Sequence, residues 1–225
     1  MTDPLASTRR RVGLRHLWRV LTLQRRFGKA QAERVFRACV AALRPGDVAI
    51  DLGANVGRFA RPMAESGARV YAFEPDPHAF GLLQKALGGF ANVTLIAAAA
   101  GASDGEITLF RHADFDAAPD RRTKSSSIMA GKANVAGGQT VPVQLIDFSR
   151  FVAELDHDVA LLKIDIEGAE VPLMEALLAR GPAARIHRIF VETHERGLPE
   201  LALRTDALRA ATSGLARPRV NWNWH

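Results

Sequence analysis

The sequence predicts an α/β fold with a mostly parallel sheet, helices on both faces of that sheet, and a helical extension at the N-terminus. From Val48 onward, short apolar runs of strand length alternate with longer segments of helical spacing. Such alternation is typical of βαβ units, in which a helix connects two parallel strands. The chain has 225 residues, 48% of them hydrophobic and 24% charged, and this composition can bury a full core. We therefore expect one globular domain at residues 45–225, preceded by an extension at residues 1–44.

The extension is strongly basic and is predicted to form amphipathic helices. Apolar residues recur at helical spacing over residues 14–21 and 32–43, and Pro45 ends the second pattern. Residues 1–44 carry eleven Arg and Lys against two acids, a net charge of +9, whereas residues 45–225 carry a net −3. The helices can pack on the sheet, or the first can make a weak contact with a membrane surface or a partner. Nucleic acid is a less favoured partner because the main domain is mildly acidic.

Cysteine content and the N-terminal sequence bear on the cellular compartment. Cys39 is the only cysteine, so neither an intrachain disulfide nor a cysteine-based zinc site can form. Arginines interrupt every apolar run near the N-terminus before it reaches the length of a signal peptide or a membrane span. We therefore expect a cytoplasmic protein with no transmembrane segment.

The elements of the main domain follow from their periodicity and from the glycines and prolines between them. Strands are predicted at residues 48–50, 69–73, 93–97, 106–110, 140–145, 159–164, 186–191 and 220–224. A helix is predicted to begin near residue 58, and further helices at residues 77–87, 148–155, 171–179 and 198–211. The strand at 106–110 follows an Asp104-Gly105 turn and is expected to run antiparallel. Residues 111–139 form a long polar connection, which in compact domains is usually functional or disordered.

The first functional motif joins two strand ends. An apolar strand ends in Asp51, a glycine turn follows at Gly53, and a second strand ends in Glu74, 21 residues after that glycine. This is the layout of a nucleotide-type cofactor site. Gly53 permits a tight turn, and Gly57 lets the next helix begin close to the strand. The carboxylate of Glu74 can accept hydrogen bonds from both hydroxyls of a ribose.

The same motif discriminates between cofactors. A dinucleotide fingerprint beginning at Gly53 would need glycines at positions 55 and 58, where the chain has Asn55 and Arg58. Close approach of the backbone to a pyrophosphate is therefore not provided for. The carboxylate of Asp51 would repel phosphate but attract an ammonium, and the amides of the turn can receive a carboxylate. S-adenosylmethionine carries an ammonium, a carboxylate and a sulfonium, so the sequence favours this cofactor.

The second motif follows a buried strand and contains Lys163, Asp165 and Glu167. Acids that follow a strand of an open parallel sheet lie at its carboxyl edge, where such sheets bind ligands. With the period of two that a strand imposes, the three side chains would share one face while the strand lasts. The opposite charges can also satisfy one another, so a purely structural role remains open.

Several segments together resemble the FkbM family of S-adenosylmethionine-dependent methyltransferases. They are residues 51–57, Phe73-Glu74-Pro75, Gly105-Glu106, residues 125–127, the Lys-x-Asp-x-Glu-Gly-x-Glu pattern of residues 163–170, and Val191-Glu192-Thr193-His194. The resemblance covers about residues 45–225, and residues 163–170 are its most specific element. It implies a Rossmann-like class I methyltransferase fold and, in most members, O-methylation of a hydroxyl on a sugar, a glycan or a secondary metabolite.

Two residues are predicted to carry the chemical step. An alcohol is a poor nucleophile until its proton leaves, which calls for a base or a metal. His194 is our candidate base because an unperturbed imidazole titrates near neutrality, and Asp165 would orient it or hold the acceptor hydroxyl. Asp165, Glu167 and His194 could instead gather a divalent cation. Their spacing matches no recognised metal signature, so no metal site is predicted.

The predicted cofactor residues are Asp51, Gly53, Asn55, Gly57, Glu74, Asp76 and Asp104. Residues 97–100 are all alanine and offer no polar side chain to the adenine of the cofactor. Backbone groups near residues 101–104 would therefore have to bind the adenine amine. We expect residues 111–139 to recognise the acceptor, a small molecule or a glycan. Two other classes stay open: an RNA or protein methyltransferase that docks through the basic extension, and a non-catalytic partner subunit that only binds the cofactor.

Overall fold

The computed structural model of the protein describes residues 28–111, 139–195 and 199–224. Its strands are β1 Val48–Leu52, β2 Arg69–Phe73, β3 Val93–Ile96, β4 Ala99–Gly101, β5 Gly105–Phe110, β6 Thr140–Asp147, β7 Val159–Ile164, β8 Ile186–Val191 and β9 Arg219–Asn221. Its α-helices are α1 over residues 28–42, α2 Ala60–Glu65, α3 Pro77–Leu87, α4 Phe148–Glu154, α5 Glu170–Ala179 and α6 Pro199–Thr212, with a short 3-10 helix at Pro182–Arg185.

Six strands form one parallel sheet in the order β3-β2-β1-β7-β8-β9. Every neighbouring pair in this sheet runs parallel, as the alternation of strands and helices predicts. The order reverses between β1 and β7, because the chain moves outward from β1 to β3 and then returns to the other side of β1. Doubly wound sheets bind ligands in the crevice at such a reversal, outside the carboxyl ends of the strands.

Helices cover both faces of this sheet, as predicted. Alternate residues of β1 point to opposite faces: Val48, Ile50 and Leu52 join one core cluster and Ala49 joins the other. The first cluster contains side chains of α4, α5 and α6, and the second contains side chains of α1, α2 and α3. The sheet is thus the middle of three layers, which confirms the α/β fold with helices on both faces.

A second sheet of three strands has the order β4-β6-β5. Its strand β5 runs antiparallel to β6, which confirms the expected direction of residues 106–110. The sequence did not indicate β4, whose residues pair in parallel with the end of β6. A Cβ on Gly101 would lie 2.6 Å from Leu145 Cδ1 of β6, so the close packing at this point favours the smallest residues.

An aromatic cluster forms part of the layer that contains α1. Trp224 is 1% exposed and packs against Phe36 of α1, Phe59 and Phe190, with ring centroids 4.3, 5.1 and 5.7 Å away. The prediction of a final strand at 220–224 is therefore wrong in its second half, because β9 ends at Asn221. The described part of α1 packs on the sheet. The amphipathic pattern of residues 14–21 lies outside the described residues, and so does the predicted acceptor segment at 111–139 except for its end residues Arg111 and Gln139.

Within the described ranges, no helix combines the length and the apolar character that are needed to cross a bilayer.

Candidate active site

The ends of β1 and β7 lie side by side at the point where the strand order reverses. In the parallel register, Asp51 faces Lys163 and Leu52 faces Ile164. The turn that follows β1 and the acids that follow β7 are therefore neighbours. The sequence predicts these two motifs separately, and the sheet brings them together.

Position 53 requires a glycine because these two segments approach each other closely there. It has a φ of +73°, and a Cβ at this position would lie 1.9 Å from the carbonyl oxygen of Asp165. The approach is held by a 3.1 Å hydrogen bond that the amide of Asp165 donates to the carbonyl of Leu52. Any side chain at position 53 would push Asp165 away from the turn. This explains the tight turn that the sequence indicates.

The amides of the turn are largely engaged within the protein. Those of Gly53 and Ala54 donate to the carbonyl of Phe73 at 3.1 and 2.9 Å, and that of Gly57 donates to Ala54 at 2.8 Å. Asn55 has a φ of +49°, and its amide donates to the carboxylate of Glu74. A ligand carboxylate would have to be received by other amides of this turn, or would have to compete with these bonds.

Gly57 lies in the turn that leads into α2. Helix α2 begins at Ala60, two residues later than expected, and the carbonyl of Gly57 accepts a 2.9 Å hydrogen bond from the amide of Arg61 in its first turn. A Cβ on Gly57, whose φ is +87°, would lie 3.1 Å from Leu83 and 3.2 Å from Leu87. Gly57 therefore permits α3 to pack against the turn. Local spacing does not reveal this long-range contact.

Glu74 holds the turn from the end of β2. Its side chain is buried, and its two carboxylate oxygens accept hydrogen bonds from the amides of Asn55 and Asp76, each at 2.8 Å. Burial raises the pKa of the Glu74 carboxyl to about 7, and the two amides only partly oppose this effect. Each oxygen retains a second lone pair, so the carboxylate can still accept from two ligand hydroxyls.

Asp76 and Asp104, both predicted cofactor residues, are engaged in contacts within the protein. Asp76 caps α3 by accepting from the amide of His78 at 2.8 Å, and it forms a two-pronged ion pair with Arg111 at 2.9 and 3.0 Å. The exposed Asp104 accepts from the amide of Asp147 at 3.0 Å and from Arg150 at 2.7 Å. A cofactor contact through either carboxylate stays a prediction.

Asp51 lies beneath the turn, where it is fully buried with Lys163. The ammonium nitrogen of Lys163 is 3.0 Å from Asp51, 3.4 Å from Asp165 and 2.9 Å from the carbonyl of Gly53, to which it donates. Burial alone would lower the pKa of Lys163, but the charges of Asp51 and Asp165 outweigh it and hold this pKa above its usual value. A ligand ammonium at Asp51 would have to share the carboxylate with Lys163.

The acids that follow β7 and β8 form a cluster around His194. Asp165 and Glu167 follow β7, while Glu192 and His194 follow β8. His194 Nε2 is 3.4 Å from Glu167 Oε2 and 4.0 Å from Glu192 Oε1. Burial and the nearby charge of Asp165 raise the pKa of the Glu192 carboxyl to about 7, although His194 opposes the shift. The edge of the sheet therefore concentrates negative charge around one imidazole.

The structure adds Glu170, to which the sequence analysis gave no role. This first residue of α5 is buried, and its Oε1 lies 2.8 Å from His194 Nδ1. The signal that could have found it is its place in the Lys-x-Asp-x-Glu-Gly-x-Glu pattern. Asp165, Glu170 and His194 each offer a ligand atom within 4.8 Å of the others, so these three could hold a metal ion, whereas the sequence grouped Glu167 with Asp165 and His194.

Comparisons with known proteins agree on the reaction class. The model of the FkbM methyltransferase domain matches residues 51–211. A ribosomal RNA small subunit methyltransferase A from Thermotoga maritima is 39% identical over 64 residues, which are 28% of this chain and 22% of that protein. The protein of the same name from Thermotoga neapolitana is 40% identical over 55 residues, 24% of this chain and 21% of that protein. The matched segments thus span about a fifth of these curated relatives.

A solved structure of a methyltransferase FkbM from Methylobacillus flagellatus matches 73% of this chain and 36% of that chain, with 17% sequence identity and a TM-score of 0.44. The assignment of the fold rests on the strand order of the chain itself. The domain match extends from Asp51, at the end of β1, through the acids after β7 to the last turn of α6, and so includes all the segments that form the crevice. The chain belongs to the FkbM methyltransferase family.

Proposed function

We propose that the protein is an S-adenosylmethionine-dependent O-methyltransferase whose acceptor is a hydroxyl of a sugar, a glycan or a secondary metabolite. One observation carries this proposal: the same edge of the sheet holds a turn fixed by the buried Glu74 after β2 and a histidine surrounded by carboxylates after β8, with the ends of β1 and β7 between them. The first feature suits a ribose, and the second suits removal of a proton from a hydroxyl.

The residues of the turn would bind the cofactor. Glu74 would accept hydrogen bonds from the ribose hydroxyls through the lone pairs that Asn55 and Asp76 leave free. Gly53 keeps the turn against Asp165 and so fixes the distance between the ribose site and the acid cluster. When bound, S-adenosylmethionine would supply an electrophilic methyl on its sulfonium. Asp51 would act mainly through Lys163, which ties the ends of β1 and β7 together.

The residues after β7 and β8 would prepare the acceptor. His194 would take the proton of the hydroxyl, and Asp165 would accept a hydrogen bond from that hydroxyl and so orient it. Glu167 and Glu192 lie within 4.0 Å of His194 and would stabilise the imidazolium that forms when the ring takes up the proton. The chain thus aligns the acceptor oxygen and removes its proton.

A second candidate function is methylation of RNA. The two curated relatives are named as ribosomal RNA methyltransferases, and residues 1–44 carry a net charge of +9. Basic segments of this kind bind phosphate backbones in a salt-dependent manner. We favour the small-molecule or glycan acceptor because residues 45–225 carry a net −3 and the described edge of the sheet is rich in carboxylates. A negatively charged edge repels a polyanion.

Methyl transfer to a panel of acceptors tests the proposed function. The full chain is incubated with S-adenosylmethionine that carries a labelled methyl, and with hydroxylated small molecules, oligosaccharides or small-subunit ribosomal RNA in separate reactions. We expect label in a methyl ether of a small molecule or oligosaccharide and none in RNA. Salt-sensitive labelling of RNA would contradict the proposal. Binding of the cofactor without turnover on any acceptor would favour the non-catalytic partner subunit.

The burial of Glu74 predicts that cofactor affinity depends on pH. Because the pKa of its carboxyl is raised to about 7, the empty site is largely protonated at pH 6, and only the ionised form can accept both ribose hydroxyls. Binding should therefore be about tenfold weaker at pH 6 than at pH 8, with release of a proton on binding. Calorimetry in buffers of different ionisation enthalpy measures both effects.

Two variants separate the effect of Glu74 from that of Glu192, a second carboxyl whose pKa is raised to about 7. Glu74→Gln should weaken binding by about 1–3 kcal/mol at pH 8 and remove the pH dependence between pH 6 and 8. Glu192→Gln should retain this pH dependence, although the pKa of Glu192 is also raised to about 7. If the dependence disappears in Glu192→Gln and persists in Glu74→Gln, the ribose assignment of Glu74 is wrong.

A further inference from the structure

We propose that Glu170 is a positioning residue that fixes the orientation and the tautomer of His194, an inference that rests on the proposed function of His194 as the base. The carboxylate of Glu170 lies 2.8 Å from His194 Nδ1. Its side chain is 2% exposed and that of His194 is 19% exposed. A buried carboxylate thus lies against one nitrogen of the imidazole, while about a fifth of the His194 side chain remains exposed.

Glu170 is itself held rigidly. Its Oε1 accepts from the amides of Ile166 and Gly168 at 3.1 and 3.0 Å, and its Oε2 also lies 3.0 Å from the amide of Gly168. Both amides belong to the turn between β7 and α5, in which Glu167 has a φ of +55°. The position of Glu170 at the start of α5 also favours its negative charge, because the N-terminus of a helix carries partial positive charge. Nδ1 therefore faces a fixed, charged acceptor.

This contact determines which nitrogen can act as a base. An ionised carboxylate only accepts hydrogen bonds, and Glu170 lies 2.8 Å from Nδ1 whereas Glu167 lies 3.4 Å from Nε2, so the shorter contact assigns the proton of the neutral ring to Nδ1. The lone pair is then on Nε2, which faces Glu167 and Glu192 at 3.4 and 4.0 Å. A carboxylate with this role in other enzymes orients the ring and stabilises the imidazolium that forms during the reaction. Asp165 is the orienting residue that the sequence predicts, whereas in the structure Glu170 lies at Nδ1.

The contacts of Glu170 favour this role over that of a metal ligand. Its Oε1 accepts from the amides of Ile166 and Gly168 and also lies 2.8 Å from His194 Nδ1. Asp165 has the ammonium of Lys163 at 3.4 Å. A divalent cation between Asp165, Glu170 and His194 would have to displace the hydrogen bond of the ring and would lie close to a buried positive charge. We therefore treat a bound cation as the rival outcome of the test.

The tautomer of His194 tests the proposal without cofactor or acceptor. In the full chain labelled with nitrogen-15, long-range proton–nitrogen correlation at pH 9 should show the proton of the neutral ring on Nδ1, whereas a free histidine side chain prefers Nε2. The signals are assigned by their loss in His194→Gln. In Glu170→Gln we expect this preference to be lost. The matched control is Glu175→Gln, which removes a carboxylate of the same helix that pairs with Arg204 outside the cluster and should leave the spectrum of His194 unchanged.

Steady-state kinetics provide the second readout, with the acceptor that the labelling experiment identifies. His194→Ala should lower kcat by about a hundredfold or more, and Glu170→Gln should lower it by about tenfold to a hundredfold, with KM for the cofactor nearly unchanged in both. Glu175→Gln should retain the activity of the original chain. The tautomer is informative even if no acceptor is found, so failure of the proposed function and failure of this inference remain distinguishable.

Three results would overturn the proposal. One is a neutral ring of His194 in the original chain with its proton on Nε2, a result that needs no variant to fold. Another is an unchanged tautomer in folded Glu170→Gln. The third is broadening of the His194 signals by one equivalent of Mn²⁺, together with loss of activity in EDTA that a divalent ion restores, since this would assign Asp165, Glu170 and His194 to a metal site.

Discussion

Replacement of Gly53 by alanine is expected to abolish detectable cofactor binding and to lower the free energy of unfolding by about 2–6 kcal/mol. The added Cβ would lie 1.9 Å from the carbonyl oxygen of Asp165, and this neighbour is backbone that cannot rotate away. The φ of +73° adds strain for any residue with a side chain. Separation of the two segments would move Asp165 away from the turn and would break the hydrogen bond between its amide and Leu52.

Two alanine controls separate this clash from general effects of glycine replacement. Gly46 has a φ of +99°, and a Cβ added there would have no atom within 4 Å, so Gly46→Ala reports the cost of backbone strain alone. Gly81, inside α3, also has open space, and Gly81→Ala should stabilise the helix by about 0.5–1 kcal/mol. Urea denaturation and calorimetry with S-adenosylmethionine measure the three variants. A Gly53→Ala protein that behaves like Gly46→Ala would show that the close approach is not essential.

Replacement of Lys163 by methionine is expected to lower the free energy of unfolding by about 3–5 kcal/mol, because it leaves a buried carboxylate without its counter-charge. Asp51 is 0% exposed, and within the described residues neither of its oxygens accepts a hydrogen bond of good geometry. The ammonium of Lys163 at 3.0 Å is thus its main source of compensation. The loss of stability in Lys163→Met should become smaller as the pH falls, because a protonated Asp51 no longer needs a counter-charge.

A double-mutant cycle identifies the pair as the cause. The double variant Asp51→Asn/Lys163→Met removes both charges and should recover most of the stability that Lys163→Met alone loses. Urea denaturation at pH 7 measures the original chain, both single variants and the double variant. Equal losses in Lys163→Met and in the double variant would show that Lys163 stabilises the protein through contacts other than its pairing with Asp51, for example that of its ammonium with the ring of Phe59 at 5.3 Å.

The sequence predicts most of the fold because each main element has a strong local signal. Strands β2, β7 and β8 and helix α3 have the predicted bounds, since runs of apolar residues end at glycine, proline or an acid. Strand β4 was missed because its Ala99-Ala100-Gly101 sequence has low β propensity and is selected by its contact with β6. Such a preference depends on a distant strand and leaves no periodic pattern.

The site was predictable where function depends on the ends of strands, and less so where it depends on contacts between segments. Glu74 lies at the end of β2 beside the turn, as expected. The pairing of Asp51 with Lys163 joins residues 112 positions apart, and only the register of β1 and β7 reveals it. Glu170 was part of a recognised pattern, but its contact with His194 depends on how α5 packs beside β8. Spacing along the chain contains no information about either distance.

A comparison of two cofactors tests the proposed methyltransferase function most directly. Calorimetric titration of the full chain at pH 8 with S-adenosylmethionine and, separately, with NAD compares the two ligands that the strand–turn–strand motif could serve. We expect micromolar affinity for S-adenosylmethionine and no heat of binding for NAD, because the turn has Asn55 and Arg58 where a pyrophosphate would need glycines. Micromolar binding of NAD without binding of S-adenosylmethionine would contradict the account.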